Sequence, residues 1–200
     1  NPLSRVTVNE VLSALRTAGY YCYPQHGEAT GAGDGLIWPD EALLLAESAL
    51  QTSHTGIALE LGTYKGHSAS IMGLTRKLTD GLPTITIDHS DEHSRAVNDK
   101  IKVLALHHHL IALTGSSTNS FIVSLVPRNV SLLFVDGNHD EKPVIQDVLT
   151  YSHHLTETAL ILLHDYTRRD GVRAACCNLF LTLPERIVRT TAVFHKENLR

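Results

Sequence analysis

The chain has 200 residues, a net charge of −4 at pH 7 and a hydrophobic content of 42%, which fits one globular domain and excludes a disordered chain. A sequence pI of about 6.3 argues against a protein that neutralises nucleic-acid phosphates, because such binding needs clustered Lys and Arg. No apolar run reaches the roughly 18 residues of a membrane span, and three cysteines without C-x-x-C spacing predict neither disulfides nor a zinc site. We therefore expect a cytoplasmic protein with neither a nucleic-acid nor a membrane partner.

The first 35 residues differ from the remainder of the chain. Apolar residues at helical spacing predict a helix over 6–18, and four glycines between 27 and 35 predict a loop. Loops of this length in compact domains are usually functional or disordered. We therefore expect residues 1–35 to form a helix and a candidate lid, next to a main domain that comprises residues 36–200 and opens with a helix at Pro39.

From residue 56 onwards, short strands rich in Val, Ile and Leu alternate with amphipathic helices in five successive units. This alternation predicts an α/β fold, a Rossmann-like doubly wound and mostly parallel sheet with helices on both faces. A helix is expected over 116–126, and a β-rich segment over about 185–196 would give two strands if it divided at Thr190-Thr191. In such sheets ligands bind beyond the carboxyl ends of the strands, so the residues that follow each strand are the candidates for chemistry.

The first three predicted strands each end in residues that suit a nucleotide-like ligand. Glu60 ends the first strand and is followed by Gly62 and Gly66, which permit a tight turn; the acid would repel a phosphate but attract an amino group or a sulfonium. Asp88 ends the second strand at a spacing that suits the two hydroxyls of a ribose, although a helix N-cap at Asp88, Ser90 or Asp91 is an alternative. Thr114–Ser117 follow the third strand, either beside an adenine ring or as a plain turn and cap.

The fourth and fifth predicted strands end in a cluster of acids and histidines. Asp136 and His139 follow the fourth strand, and His164 and Asp165 follow the fifth. Carboxylates are costly to bury without partners, so a purely structural reading of the whole group is hard to sustain.

Together these residues resemble the class I S-adenosylmethionine-dependent methyltransferases over roughly residues 36–166. ALELGTYKGHSA is similar to the first motif of that family and TITIDH to the second. VDGNHDE after the fourth strand and HD after the fifth are similar to its small-molecule branch, which includes antibiotic-sugar O-methyltransferases and cephalosporin hydroxylase-like proteins. The resemblance implies methyl transfer from S-adenosylmethionine to an oxygen atom of a small molecule.

The resemblance also implies roles for individual residues. The residues expected to bind the cofactor are Glu60, Gly62, Thr63, Gly66, Ser68, Asp88, Gly115, Ser116 and Asp136. Several relatives hold a divalent cation, for which the ligands here would be Asp136, His164 and Asp165. This set departs from the catechol-type pattern, which has Asp-Asn where this chain has Asp165-Tyr166, and it would bind Mg²⁺ weakly or prefer Mn²⁺.

A hydroxyl acceptor needs a base, or a metal ion that lowers its pKa. The candidate catalytic residues are His139, His164 and Asp136, and we prefer His139 as the base because His164 beside Asp165 suits a metal ligand. A methyltransferase fold that binds cofactor or a protein partner without turnover stays open as the alternative. A nicotinamide enzyme is disfavoured because the first turn lacks the middle Gly of G-x-G-x-x-G. We expect a small-molecule acceptor and leave a homo-oligomer open.

Overall fold

The computed structural model describes residues 7–17 and 37–200. The helices are α1 (Val8–Thr17), α2 (Pro39–Gln51), α3 (His67–Leu78), α4 (Asp91–Val103), α5 (Ser120–Leu125), α6 (Glu141–Tyr151) and α7 (Asp170–Leu179). The strands are β1 (Ile57–Leu61), β2 (Thr84–Asp88), β3 (Leu110–Thr114), β4 (Val130–Val135), β5 (Leu155–Leu163), β6 (Arg186–Val188) and β7 (Thr191–His195). The candidate lid over 19–35 lies outside the described residues and stays a prediction.

The described strands form one sheet of order β3-β2-β1-β4-β5-β7-β6. The first five strands in this order are parallel, and β7 runs antiparallel to both β5 and β6. The chain crosses from β3 back to β4 beside β1, which gives the strand order a switch point there. The predicted doubly wound, mostly parallel sheet is confirmed, and the crevice beyond β1 and β4 is where such folds bind ligands.

Alternate residues of the central strands fill two separate cores, one on each face of the sheet. Leu59 and Leu133 pack on one face with residues of α5, α6 and α7. Ala58 and Phe134 pack on the other face with residues of α1, α2, α3 and α4. Because both faces are covered, β1 and β4 are buried along their whole length, which explains their continuous apolar sequence.

Two predicted boundaries differ from the structure. The helix expected over 116–126 is only α5, because the side chain of Asn119 accepts hydrogen bonds from the amides of Phe121 and Ile122 and so caps the helix at that point. The cap expected at Thr114–Ser117 was therefore placed too early. The C-terminal β-rich segment does divide, at Arg189 and Thr190, into the antiparallel strands β6 and β7. No helix within the described ranges is long and apolar enough to cross a bilayer.

Candidate active site

The strand-end residues singled out by the sequence lie in one row along the carboxyl edge of the sheet. Backbone amides just beyond one strand donate to carbonyl groups at the end of the next: Gly115 to Asp88, Gly62 to Ile87, and Asp136 to Leu61. The row continues with His164, whose amide donates to Val135 over 3.1 Å. The parallel register thus brings all four loop starts to one edge.

Two glycines shape the turn between β1 and α3. Gly62 has a φ of +87°, and a Cβ there would lie 2.5 Å from the carbonyl oxygen of Asp136. Gly66 has a φ of +77°, and a Cβ there would lie 2.7 Å from Cγ2 of Val97. Both positions therefore require glycine for packing within the protein, whether or not a ligand approaches the turn.

Asp88 holds the same turn from β2. Its Oδ2 accepts hydrogen bonds of 3.0 Å from the amides of Thr63 and Tyr64, and its Oδ1 accepts one of 2.9 Å from the amide of Ser90. Burial alone would raise the pKa of Asp88, but these bonds outweigh burial and lower it. The N-cap of α4 is Ser90, so the reading of Asp88 as that cap is wrong.

Glu60 is completely buried at the end of β1. Its two carboxylate oxygens accept hydrogen bonds from the hydroxyls of Ser68 and Thr86. Burial and the nearby charge of Asp136 nevertheless raise the pKa of Glu60 to about 7, because hydroxyl donors only partly compensate for lost hydration. The Thr63 hydroxyl is also buried beside Glu60, without a well-aligned partner among the described residues. Within residues 7–17 and 37–200, no cation pairs with Glu60, and the Thr63 hydroxyl makes no well-aligned hydrogen bond.

The turn after β3 is fastened to α6, which the sequence reading did not anticipate. The Ser117 hydroxyl donates to Asp147 over 2.5 Å, and the Tyr151 hydroxyl donates to the carbonyl oxygen of Ser117 over 2.6 Å. Burial raises the pKa of Asp147 against the effect of the Ser117 bond. These contacts fix the conformation of the segment that carries Gly115 and Ser116.

His164 lies between two carboxylates. Its Nδ1 is 2.8 Å from Oδ1 of Asp136, and its Nε2 is 3.5 Å from Oε2 of Glu41, an ion-pair distance longer than an ordinary hydrogen bond. Burial alone would lower the pKa of His164, but Asp136 and Glu41 outweigh burial and raise it to about 10. A pKa of about 10 favours the imidazolium at neutral pH, a form without a free lone pair, and the role of His164 as a base stays a prediction.

His139 occupies a different environment on the loop after β4. Its Nε2 lies 3.1 Å from Oδ2 of Asp165 and 3.9 Å from Oδ1 of Asp136. Nε2 of His139 makes no hydrogen bond of good geometry with either carboxylate. About a third of the His139 side chain is exposed. Asp165 has a φ of +58°, a strained conformation of the kind that functional sites retain. The His139 side chain is thus partly exposed, while its Nε2 is buried beside a carboxylate that is in position to orient the ring.

The loop that carries His139 packs against Gly171, in the first turn of α7. A Cβ at Gly171 would lie 2.4 Å from the carbonyl oxygen of His139 and 2.9 Å from the amide of Glu141. Glycine at this position lets the first turn of α7 pack directly on the backbone that carries the histidine.

The expected metal ligands do not fit a divalent cation in this arrangement. Within the described ranges, no three His, Cys, Asp or Glu side chains are grouped so that they could hold a metal ion. His164 faces a carboxylate on each ring nitrogen, whereas a metal ligand must be a neutral imidazole with a free lone pair. The chemistry of the site is therefore assigned to its side chains.

Glu41 is a residue beside the site that sequence reasoning missed. The sequence identifies it only as an acid suited to the first turn of a helix, and the structure buries it beside His164. Glu41 stands out because it occupies an ordinary helix-capping position and yet is almost completely buried. Burial cannot be read from a single sequence.

Comparison with known proteins places these features in context. A family described as "Methyltransferase domain" matches residues 59–166. Protein R132 of Acanthamoeba polyphaga mimivirus, described as uncharacterized, is 25% identical over 111 residues, which are 54% of this chain and 50% of that protein. The chain thus spans about half the length of this curated relative.

Solved structures share the fold at lower identity. The O-methyltransferase from Bacillus cereus in complex with SAH is 18% identical with a TM-score of 0.59, over 89% of this chain and 81% of that one. The O-methyltransferase NovP is 12% identical with a TM-score of 0.63, over 94% and 97% of the two chains. TomG from Streptomyces achromogenes, an O-methyltransferase of tomaymycin synthesis in complex with SAM, is 17% identical with a TM-score of 0.59, over 86% and 76%.

Proposed function

The chain belongs to the methyltransferase-domain family matched over residues 59–166, and from that premise we propose that it methylates a hydroxyl group of a small molecule with S-adenosylmethionine. The observation that carries the proposal is the row of strand ends from Gly115 to His164, with a buried, cation-deficient acid in its middle. O-methyltransferases among the structural neighbours support the choice of an oxygen acceptor.

The residues along the row suit the cofactor. Glu60 would face its cationic end, since an acid with a pKa raised to about 7 gains most from a nearby positive charge. The buried Thr63 hydroxyl would gain a hydrogen-bond partner. Gly62, Gly66, Ser68 and Asp88 would form the rest of the turn that encloses it, and Gly115 and Ser116 would lie near its adenine. When bound, S-adenosylmethionine supplies a methyl group already activated by its sulfonium.

The protein has to align the acceptor and remove its proton. We assign the proton to Nδ1 of His139, on the loop beside Asp136, because Nε2 of the ring is buried beside a carboxylate. Asp165, 3.1 Å from Nε2, would hold the proton on that nitrogen, orient the ring and stabilise the charge that it gains. His164 would keep the Asp136 carboxylate in place as its ion-pair partner.

The net charge and the free cysteines support a class of acceptor and a cellular location. A net charge of −4 supports a small-molecule acceptor over a nucleic acid. Free thiols at Cys176 and Cys177 suit a reducing compartment, and we propose the cytoplasm.

The function is tested by methyl transfer from radiolabelled S-adenosylmethionine to a panel of catechols, phenols and sugars, with and without excess EDTA. We expect turnover that persists in the chelator. His139→Ala should lower kcat about 10²–10⁴-fold, the usual contribution of a general base, with the affinity for S-adenosylhomocysteine (SAH) unchanged.

His108→Ala is the matched control, because His108 is exposed and lies outside the site. Its kcat should equal that of the unaltered protein. SAH binding without turnover on any acceptor would instead favour the non-catalytic alternative. Normal kcat in His139→Ala would overturn the assignment of the base.

A further inference from the structure

Glu41 is a buried acid that the proposed chemistry has not yet used. It lies in the first turn of α2, is 1% exposed, and precedes β1 in the chain. Its Oε2 nevertheless lies 3.5 Å from Nε2 of His164, at the end of β5. Tertiary packing therefore places a helix-start acid beside the strand-end row.

We propose that Glu41 is a positioning residue of the methyl-transfer site, which acts through His164 to hold the carboxylate of Asp136 in place. The proposal rests on the proposed function, because Asp136 belongs to the site only if methyl transfer takes place there. Glu41 itself does not touch the reacting groups.

The three side chains form a continuous line from α2 to the end of β4. His164 has one carboxylate at each ring nitrogen, Asp136 at 2.8 Å and Glu41 at 3.5 Å. Only a doubly protonated ring can offer an N–H to both acids. The ring is also held edge-on against Phe134, at 6.1 Å between centroids. Asp165, whose Oδ1 lies 4.0 Å from Nδ1 of His164, is the other carboxylate near this ring.

The second oxygen of Glu41 anchors this line to the C-terminal hairpin. Oε1 accepts hydrogen bonds from the amide of Thr190 at 3.0 Å, from the Thr190 hydroxyl, and from the Thr191 hydroxyl at 3.2 Å. The turn between β6 and β7 thus fixes the carboxylate from the side opposite His164.

Helix capping alone does not account for Glu41. It accepts a hydrogen bond from the amide of Trp38 at 3.1 Å, as a capping residue does. A neutral glutamine would accept the same bond, whereas a buried carboxylate costs free energy unless a cation compensates for it. His164 is the cation that faces Glu41, so the charge is explained by the histidine and not by the cap.

The test compares Glu41→Gln with Glu47→Gln, which changes a half-buried acid on the same helix that pairs with Arg186 at 2.9 Å. Glu41→Gln should lower kcat roughly 10- to 100-fold, as a small misplacement of the site does, without changing the SAH Kd. Glu47→Gln should leave both unchanged. Unaltered kcat in Glu41→Gln, while the unaltered protein turns over, would overturn the proposal and leave the proposed function intact.

A double-mutant cycle separates positioning from a general loss of structure. If Glu41 acts through His164, Glu41→Gln should have no further effect on kcat/KM in a His164→Gln background. Additive losses would show that Glu41 acts by another route.

A measurement that needs no turnover tests the role of Glu41 even if the proposed function is wrong. The ¹⁵N signals of His164, identified by their absence in His164→Gln, should report a doubly protonated ring in the unaltered protein and shift in Glu41→Gln but not in Glu47→Gln. Identical signals in all three proteins would overturn the proposal. If Glu41→Gln does not fold, Thr190→Val removes one donor to Glu41, and the same signals should shift in the same direction.

Discussion

Burial has opposite consequences for two residues of this site. Burial and a nearby acid favour the neutral form of Glu60, and the hydroxyl donors around it only partly oppose this. His164 is almost as deeply buried but lies between two carboxylates, so its charged form is favoured. Burial thus sets the direction of the pKa shift at Glu60, which has only hydroxyl donors to oppose it, whereas two carboxylates reverse the effect of burial at His164.

The raised pKa of Glu60 predicts that binding of SAH releases a proton. With a pKa of about 7, Glu60 is largely protonated below neutral pH in the free protein, whereas the ammonium group of SAH favours the carboxylate. The affinity for SAH should therefore rise as pH increases from 5.5 to 7.5 and level off above that. Calorimetric titrations at several pH values, in buffers of different ionisation enthalpy, measure both the affinity and the released proton.

Two variants make that measurement specific. Glu60→Gln should bind SAH more weakly and with little pH dependence, and Glu47→Gln should behave like the unaltered protein. An affinity that does not change with pH would show that Glu60 remains in one protonation state throughout.

At the scale of elements, α6 positions the turn that follows β3. Both helices α5 and α6 pack on the same face of the sheet, which brings Asp147 and Tyr151 of α6 against Ser117. The turn itself forms few other bonds: the Ser116 hydroxyl lies 3.1 Å from that of Thr118. The proposed adenine pocket thus takes its shape from a helix that comes later in the chain.

Ser117→Ala tests this connection. The change leaves the buried carboxylate of Asp147 without its hydrogen bond, which should cost about 1–3 kcal/mol of stability. The SAH Kd should rise several-fold because the turn is less well fixed. Ser124→Ala is the control, since its exposed hydroxyl bonds only within α5. Thermal unfolding and SAH titration check both; equal Kd values would show that the turn holds its shape without α6.

At the scale of the whole molecule, the carboxyl edge joins segments from the entire described chain. α2 supplies Glu41, the loops after β4 and β5 supply Asp136 and His164, and the turn between β6 and β7 supplies Thr190. His164 lies between two of these acids, Glu41 and Asp136. Its ion pairs therefore contribute to folding as well as to the site.

The folding contribution of His164 predicts a pH dependence of stability. Its pKa is raised from about 6.5 to about 10 on folding, so the stabilisation is complete below pH 6.5 and is lost as pH rises through 10. The free energy of unfolding should fall between pH 7 and 10, by at most about 1.4 kcal/mol per pH unit for this group. Urea unfolding across that range measures the slope.

His164→Gln should be less stable at pH 7 and should lose most of this slope. His108→Gln, at an exposed position, should keep it. A slope that is identical in all three proteins would mean that other groups cause it.

The sequence by itself determined the sheet and the line of chemistry along its edge. Short, continuously apolar strands such as β1 and β4, with amphipathic helices between them, are a local pattern, and parallel strands place their carboxyl ends together whatever the side chains are. That is why Asp88, Asp136 and His164 could be placed in one row before the structure was known.

Only the tertiary structure decided which neighbours surround those residues. Glu41 and His164 are far apart in the chain, so no local pattern reveals their contact, and without it His164 reads as a base or a metal ligand. The same holds for Asp88, which holds the amides of Thr63 and Tyr64 and does not cap a helix. A protonation state or a hydrogen-bond partner depends on neighbours that arrive through packing, and packing is a property of the folded chain.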